Sequence, residues 1–182
     1  ESRFVPYSLN LMDKKAMEAA HFEEQLKLHG WPPEEKLTAE GWTLVEESEQ
    51  TDTYLNPRPG QKDSEGFFGE ILRIREEGGH LKLMYKGVAK DRVFSHRAPL
   101  SLDISKEDTI SIRDFYPELI RVKKDRKRFC LEHKSLDGDI VFTLHLDKVE
   151  GLGLFTEIRI RGNPEKTHTE ELLRLASEFG FS

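Results

Sequence analysis

"VFTLHLDKVEGLGLFTEIRIR", residues 141–161, reads as two amphipathic strands joined by a glycine-bearing turn. In its first half Thr143, His145 and Asp147 alternate with Phe142, Leu144 and Leu146, and in its second Glu157, Arg159 and Arg161 alternate with Ile158 and Ile160. Side chains of an extended chain point to opposite faces with a period of two, so each half presents one apolar and one charged face. Gly151 and Gly153, which stand between the halves, can take the positive φ angles of a tight connection. Turn chemistry accounts for the glycines. It does not account for Asp147 and Glu157, two acids on the charged faces either side of the turn.

The same alternation runs through the rest of the chain. In "ILRIR" Arg73 and Arg75 lie opposite Leu72 and Ile74; in "LKLMYKG" Lys82, Met84 and Lys86 lie opposite Leu81, Leu83 and Tyr85; "KDRKRF" puts Lys124, Arg126 and Arg128 together. The segment from Trp42 to Leu55 is rich in β-formers and ends at the turn-rich "NPRPG", and "SLDGD" joins two strands as a hairpin. "ESRFVPY" is extended in character, with Pro6 discouraging helix before it. Asp13 is placed to cap a helix over "KKAMEAAHFEEQLKLHG", stopped by Gly30, and "WPPEEKLTAEG" reads as a loop. Ser105 caps a short helix in "SKEDTISIRDFY", and "THTEELLRLASEFG" predicts a terminal helix from near Thr167. Many antiparallel strands with three helices predict an α+β fold. Because an open sheet exposes its edges, a closed antiparallel barrel with flanking α-helices is expected.

At 182 residues the chain reads as one domain with a core large enough to stand without disulfides. Its single cysteine, Cys130, has no internal partner, and no apolar run approaches the roughly 20 residues of a membrane helix, so a cytoplasmic protein without membrane contact is expected. The net charge of −6 argues against nucleic acid as a partner. Basic residues are nevertheless concentrated: six of the nine side chains in "RVKKDRKRF", residues 121–129, are cationic. An acidic chain with basic strands points to a local anion site.

For any one strand, a charged face is ordinarily a solvated face. The collective pattern is less ordinary, because three strands concentrate cations while two others carry Asp147 and Glu157. Triphosphate chemistry uses that division: Arg and Lys neutralise phosphate oxygens, and carboxylates hold Mg²⁺ or Mn²⁺ bridging the phosphates. There is no Gly-x-x-x-x-Gly-Lys-Ser/Thr loop, no Cys/His zinc pattern and no Gly-x-Ser-x-Gly elbow to support another explanation.

The order "LRIR", "LMYKG", "VKKDRKRF" and "LDKVEGLGLFTEI", with "QTDTYLN" before it, resembles the CYTH superfamily of class IV adenylyl cyclases, thiamine triphosphatases and inorganic triphosphatases. The spacing of Asp147 and Glu157 around Gly-Leu-Gly is most similar to the cyclase branch. The resemblance implies a single CYTH-like domain over residues 1–182, built as an eight-stranded antiparallel barrel whose charged faces line a triphosphate tunnel. It implies an enzyme, an adenylyl cyclase making cyclic AMP and pyrophosphate from ATP. The alternatives are a hydrolase of thiamine triphosphate or inorganic triphosphate and a non-catalytic polyphosphate or nucleotide binder.

Carried onto this chain, the resemblance implies catalytic roles for Lys86, Lys124, Arg126 and Glu157. It implies phosphate contacts from Arg3, Arg73, Arg75, Lys82, Lys86, Arg97, Lys124, Arg126, Arg128 and Arg159. Glu1, Asp147 and Glu157 would hold Mg²⁺ or Mn²⁺, and the turn at Gly151 and Gly153 would return the chain so that both acids enter one tunnel. A triphosphate-bearing small molecule is the implied partner, with a homodimer as an option.

The chain also departs from the family pattern. Of the family's opening Glu-x-Glu-x-Lys, "ESRF" supplies only Glu1 and Arg3; Arg97 is followed by Ala98 and Pro99, with Asp103 as its nearest acid; and Arg159 stands where a second acid often follows Glu157. Each change removes negative charge, which favours anion over metal binding. His145 shares a face with Asp147 and can serve as an acid or base, although a lone histidine is more often structural. Tyr54, Tyr85, Trp31, Trp42 and Cys130 read as packing residues.

Overall fold

The computed structural model describes residues 23–59, 70–86, 100–135, 138–161 and 169–181. Eight strands form one sheet: β1 (Glu23–His29), β2 (Thr43–Leu55), β3 (Ile71–Glu77), β4 (His80–Lys86), β5 (Leu100–Ile104), β6 (Glu118–Ser135), β7 (Gly138–Val149) and β8 (Gly153–Arg161). Three helices accompany it: α1 (Glu34–Ala39), α2 (Lys106–Phe115) and α3 (Thr169–Glu178). The strand order is β1-β8-β7-β6-β2-β3-β4-β5, and every neighbouring pair is antiparallel.

The opening stretch forms the hairpin that its periodicity predicts. β7 and β8 pair from Val141↔Arg161 to Val149↔Gly153, with Gly151 at φ 73° and Gly153 at φ 98° in the turn. His145, Asp147, Glu157 and Arg159 fall on one face, where His145 lies opposite Glu157 and Thr143 opposite Arg159. Phe142, Leu144, Leu146, Ile158 and Ile160 occupy the other face and are buried.

That apolar face is the outer one. Leu172, Leu175, Ala176 and Phe179, on α3 and just beyond it, join these residues with Leu26, Leu37, Trp42 and Phe129 in one core. A second, smaller core of Leu55, Leu72 and Ile74 lies on the outer face of β2 and β3, with Leu81, Leu83, Ile104 and Ile112 against it. A fully buried Leu or Ile contributes about 1.5–3 kcal/mol relative to exposure. Covering the apolar face with helices therefore commits the charged face to the inside of the curl.

Two expectations are corrected. "EEQLKLH", expected in a helix after Asp13, forms β1, because Leu26 and Leu28 alternate with Gln25, Lys27 and His29 and the segment pairs with β8 from Glu23↔Arg161 to His29↔Phe155. The pairing satisfies the backbone while Leu26 enters the core, and this tertiary gain outweighs local helix preference. The rest of that expected helix and the "ESRFVPY" strand lie outside the described residues. "WPPEEKLTAEG" is not all loop: α1 starts after Pro33, whose φ of −59° suits a helix entry, carries Glu34 and Glu35 in its first turn and buries Leu37 completely.

Other expectations hold. Ser105 caps α2 in a reciprocal box with Asp108, and Ser135 pairs with Gly138 where "SLDGD" joins β6 to β7. The expected closed barrel is met only in part: the eight antiparallel strands are present in one sheet, but its ladder ends at β1 and β5, with no pairing between those two edges among the described residues. The curl is nonetheless deep. With its amide oriented by its hydrogen bonds, Gln25 of β1 accepts from Lys86 Nζ of β4 at 3.2 Å. No described helix is long and apolar enough to cross a membrane.

Candidate functional site

The inner face encloses a cavity of about 410 Å³ lined by Lys27, Arg73, Arg75, Lys86, Lys124, Arg126 and Arg159, with Asp52, Asp147 and Glu157 as the acids. Among the described residues, seven cations against three carboxylates leave an excess of four positive charges when all are ionised. Register explains the gathering. Arg126 pairs across from Asp147, Lys124 across from Gln50, and Asp52 across from Arg75, so side chains distant in sequence share one face.

Two arginine–aspartate forks organise this face. Arg126 donates from Nε to Asp147 Oδ1 and from Nη2 to Asp147 Oδ2, both at 2.6 Å. Arg75 donates from Nε to Asp52 Oδ1 and from Nη2 to Asp52 Oδ2, both at 2.7 Å. Lys124 stands between the forks, with Nζ 3.1 Å from Asp147 Oδ2 and 3.8 Å from Asp52 Oδ2. Arg73 Nη1 donates to Asp52 Oδ2 at 3.1 Å and to the Tyr54 hydroxyl at 3.4 Å. Trp31 fixes the backbone behind Asp147, its Nε1 donating to the carbonyls of Asp147 at 3.3 Å and Phe155 at 3.1 Å.

Glu157 is the convergence point on the β8 side. Its Oε2 receives Arg159 Nη2 at 3.0 Å, Arg126 Nη2 at 3.4 Å and His145 Nδ1 at 3.4 Å, and its Oε1 receives the Gln25 amide at 2.9 Å.

The ionisation states follow from these contacts. Burial works to raise Glu157, but Arg159, the His145 hydrogen bond, Lys27 and Arg126 hold it well below the usual carboxylate range. Burial likewise opposes ionisation of Asp147 and Asp52, and the Arg126 and Arg75 forks overcome it. Burial, reinforced by Arg126 and Arg75, depresses the Lys124 ammonium to about 8 against the pull of Asp147 and Asp52. Burial together with Arg126 and Arg159 lowers His145 to about 4 despite Glu157, so the imidazole is neutral at neutral pH and its Nδ1–H donates to Glu157.

Of the residues expected at the site, Arg73, Arg75, Lys86, Lys124, Arg126, Asp147, Glu157 and Arg159 all line the cavity. Lys82 and Arg128 do not. Lys82 is exposed opposite Asp103 of β5. Arg128, the last residue before the register shift between Glu46 and Leu44 of β2, holds Glu46 at 2.8 Å on the surface. Glu1, Arg3 and Arg97 lie outside the described residues. Asp52, Gln25 and Lys27 were missing from the expected set. Asp52 and Tyr54 stand two apart in "TDTYL", and Gln25, Lys27 and His29 two apart in "EEQLKLH"; reading both segments at period two would have found them.

Mg²⁺ and Mn²⁺ need hard oxygen ligands with accessible lone pairs. Both oxygens of Asp147 and both of Glu157 already accept from cations or amides, and among the described residues no three His, Cys, Asp or Glu side chains form a group able to hold a metal. As arranged, the described carboxylates do not fit the ion.

The fold and its inner face define a class, an antiparallel β protein that turns its charged face inward around a cationic cavity. Residues 23–182 match the model of the CYTH domain, and the chain belongs to that family. A curated relative from Methanocaldococcus jannaschii, named "Putative adenylate cyclase MJ0240", is 31% identical over 127 residues, covering 68% of this chain and 66% of its own, just under two thirds of the relative's length. Among solved structures, the PH1819 protein of Pyrococcus horikoshii superposes with a TM-score of 0.67 at 23% identity, over 88% of this chain and 92% of that one. A "putative adenylate cyclase" of Vibrio parahaemolyticus superposes with a TM-score of 0.61 at 22% identity, over 88% and 90%. These structures share the fold.

Proposed function

We propose that the chain binds a triphosphate in the inner cavity and converts ATP to cyclic AMP and pyrophosphate. The observation that carries this reading is the excess of four positive charges around a cavity of about 410 Å³, enough to compensate a fully ionised triphosphate chain. The likeness to the M. jannaschii relative, named a "putative adenylate cyclase", favours the cyclase over other triphosphate chemistry.

In this reading Arg73, Arg75, Lys86, Lys124 and Arg126 bind the phosphate chain, each already held by a partner that fixes its position. Such preorganised donors stabilise charge as it develops, because they need no reorganisation during the reaction. The ribose 3′-hydroxyl oxygen attacks the α-phosphorus and releases its proton to water, the bond from the α-phosphorus to the bridging oxygen breaks, and pyrophosphate leaves with the new negative charge. Arg75 and Arg126, held in place by their forks, would stabilise that leaving group. Lys124, with a pKa of about 8, is suited to hand a proton to it. CYTH proteins are generally metal-dependent, but the described carboxylates of this chain do not fit Mg²⁺ or Mn²⁺.

A second reading, a binder without turnover, is favoured by the engagement of both oxygens of Asp147 and of Glu157 by cations or amides. The deciding experiment is a product assay with ATP, thiamine triphosphate and inorganic triphosphate, with and without Mg²⁺ or Mn²⁺, beside Arg126→Ala. Cyclic AMP with pyrophosphate establishes the cyclase, and orthophosphate from one substrate establishes a triphosphatase instead. Tight triphosphate binding with no product establishes the binder.

A further inference from the structure

We propose that this cavity takes its polyphosphate as the metal-free anion, because Arg159 and Arg126 already pair with Glu157, and Arg126 and Lys124 with Asp147, the carboxylates that a divalent cation would need. The inference rests on the triphosphate reading of the cavity and adds how the ligand's charge is balanced.

A divalent cation at a phosphate site supplies positive charge beside the non-bridging oxygens and a bridge between the phosphate groups. Here the protein supplies both. Among the described residues the cavity carries four more positive than negative side chains, which is the full charge of an ionised triphosphate ester. Bridging needs cations spaced along the chain, and the forks provide it: Arg75 and Arg126 are each held rigidly, with Lys124 between them touching both aspartates. A fork spends two of the five N–H donors of a guanidinium, so fork-bound arginines retain donors for phosphate.

Arg159 is the decisive residue. It lies two positions beyond Glu157 on β8, on the same face, and places Nη2 3.0 Å from Glu157 Oε2. A cation entering beside Glu157 would have to displace this guanidinium into a cavity already rich in positive charge. Like-charge repulsion and the lost ion pair both oppose it. A phosphate oxygen entering the same space gains from Arg159 instead.

The test is calorimetric titration of the whole chain with inorganic triphosphate, in EDTA and in excess Mg²⁺, together with Mn²⁺ alone followed by its paramagnetic resonance signal. The expected result is that affinity in EDTA equals or exceeds that in Mg²⁺, and that no Mn²⁺ is retained without triphosphate. Arg159→Glu should reverse the order, weakening binding in EDTA by about tenfold or more, the scale of one charge-assisted contact exchanged for a repulsion, and creating Mn²⁺ retention. Arg159→Gln, closer in shape, should weaken EDTA binding without Mn²⁺ retention, and it keeps the test available if the glutamate variant does not fold. Triphosphate binding that EDTA abolishes, or stoichiometric Mn²⁺ binding to the unaltered chain, overturns the inference and leaves the triphosphate site standing. Absence of triphosphate binding with and without metal overturns the site reading, and the inference falls with it.

Discussion

Arg126 grips Asp147 by both carboxylate oxygens at 2.6 Å while its Nη2 also reaches Glu157 at 3.4 Å, so one buried guanidinium ties β6 to both strands of the β7–β8 hairpin. Asp147→Ala leaves that guanidinium, 7% exposed, without its main partner. Breaking a buried pair from one side costs about 3–5 kcal/mol. Urea unfolding should show a loss of that size for Asp147→Ala. If the midpoint stays where it was, the fork is not a structural element.

The pH dependence follows from His145. Its folded-state value of about 4 lies below its ordinary 6.5, so between those limits the unfolded chain binds a proton that the folded chain does not. Stability is therefore complete above about pH 6.5 and falls as the pH drops towards 4, by ~3 kcal/mol at most. The forked carboxylates, held below their ordinary values, lose their contribution only in more acid solution. Denaturant melts from pH 7 to 4.5 should show this slope, and His145→Gln should flatten it.

Position in the curl separates cations that look alike in sequence. Lys86→Ala and Arg75→Ala should each weaken inorganic triphosphate binding by about tenfold or more, the scale of a charge-assisted contact. Lys82→Ala and Arg128→Ala should change it by less than about twofold, as exposed charges do. Calorimetry on the four variants at one salt concentration decides the point; equal effects would mean that the curl does not select among these residues.

The outer face is where the fold is held. Leu144→Ala, at a fully buried site beneath α3, should cost about 2–5 kcal/mol through the cavity it leaves. Triphosphate affinity of the folded fraction should be preserved, because Leu144 points away from the inner face. A proportionate loss of affinity in a variant that is still folded would contradict the two-faced reading of β7.

Lys124 offers a check on the cavity's electrostatics. Its ammonium, depressed to about 8, should lose its charge as the pH rises through that value, so triphosphate binding should weaken between pH 7 and 9. In Lys124→Met, affinity should be lower at pH 7 and should lose this decline. A decline of the same size in both would assign it to another group.

Strand after strand was legible from the sequence alone, because alternation at period two is a local property that each segment carries in its own residues. The hairpin of residues 141–161 and the gathering of cations on Arg73, Arg75, Lys124 and Arg126 came from such patterns, and Ser105 was legible as a helix cap from its residue type alone. The family resemblance in those same motifs agrees with the match over residues 23–182. The segment 23–29 was not legible in this way. Its short apolar alternation competes with helix-forming neighbours, and only pairing with β8 decides for a strand.

What the sequence determined by itself was therefore the set of two-faced strands and the charge on each face. Which face turned inward was decided by tertiary structure, when α1 and α3 covered the apolar side and burial of Leu144, Ile158 and Leu172 outweighed any other arrangement. Tertiary structure also chose the members of the site. It brought Asp52 and Gln25 in and left Lys82 and Arg128 out, because proximity across a curled sheet depends on strand register and curvature, and these are properties of the whole ladder that no single strand encodes.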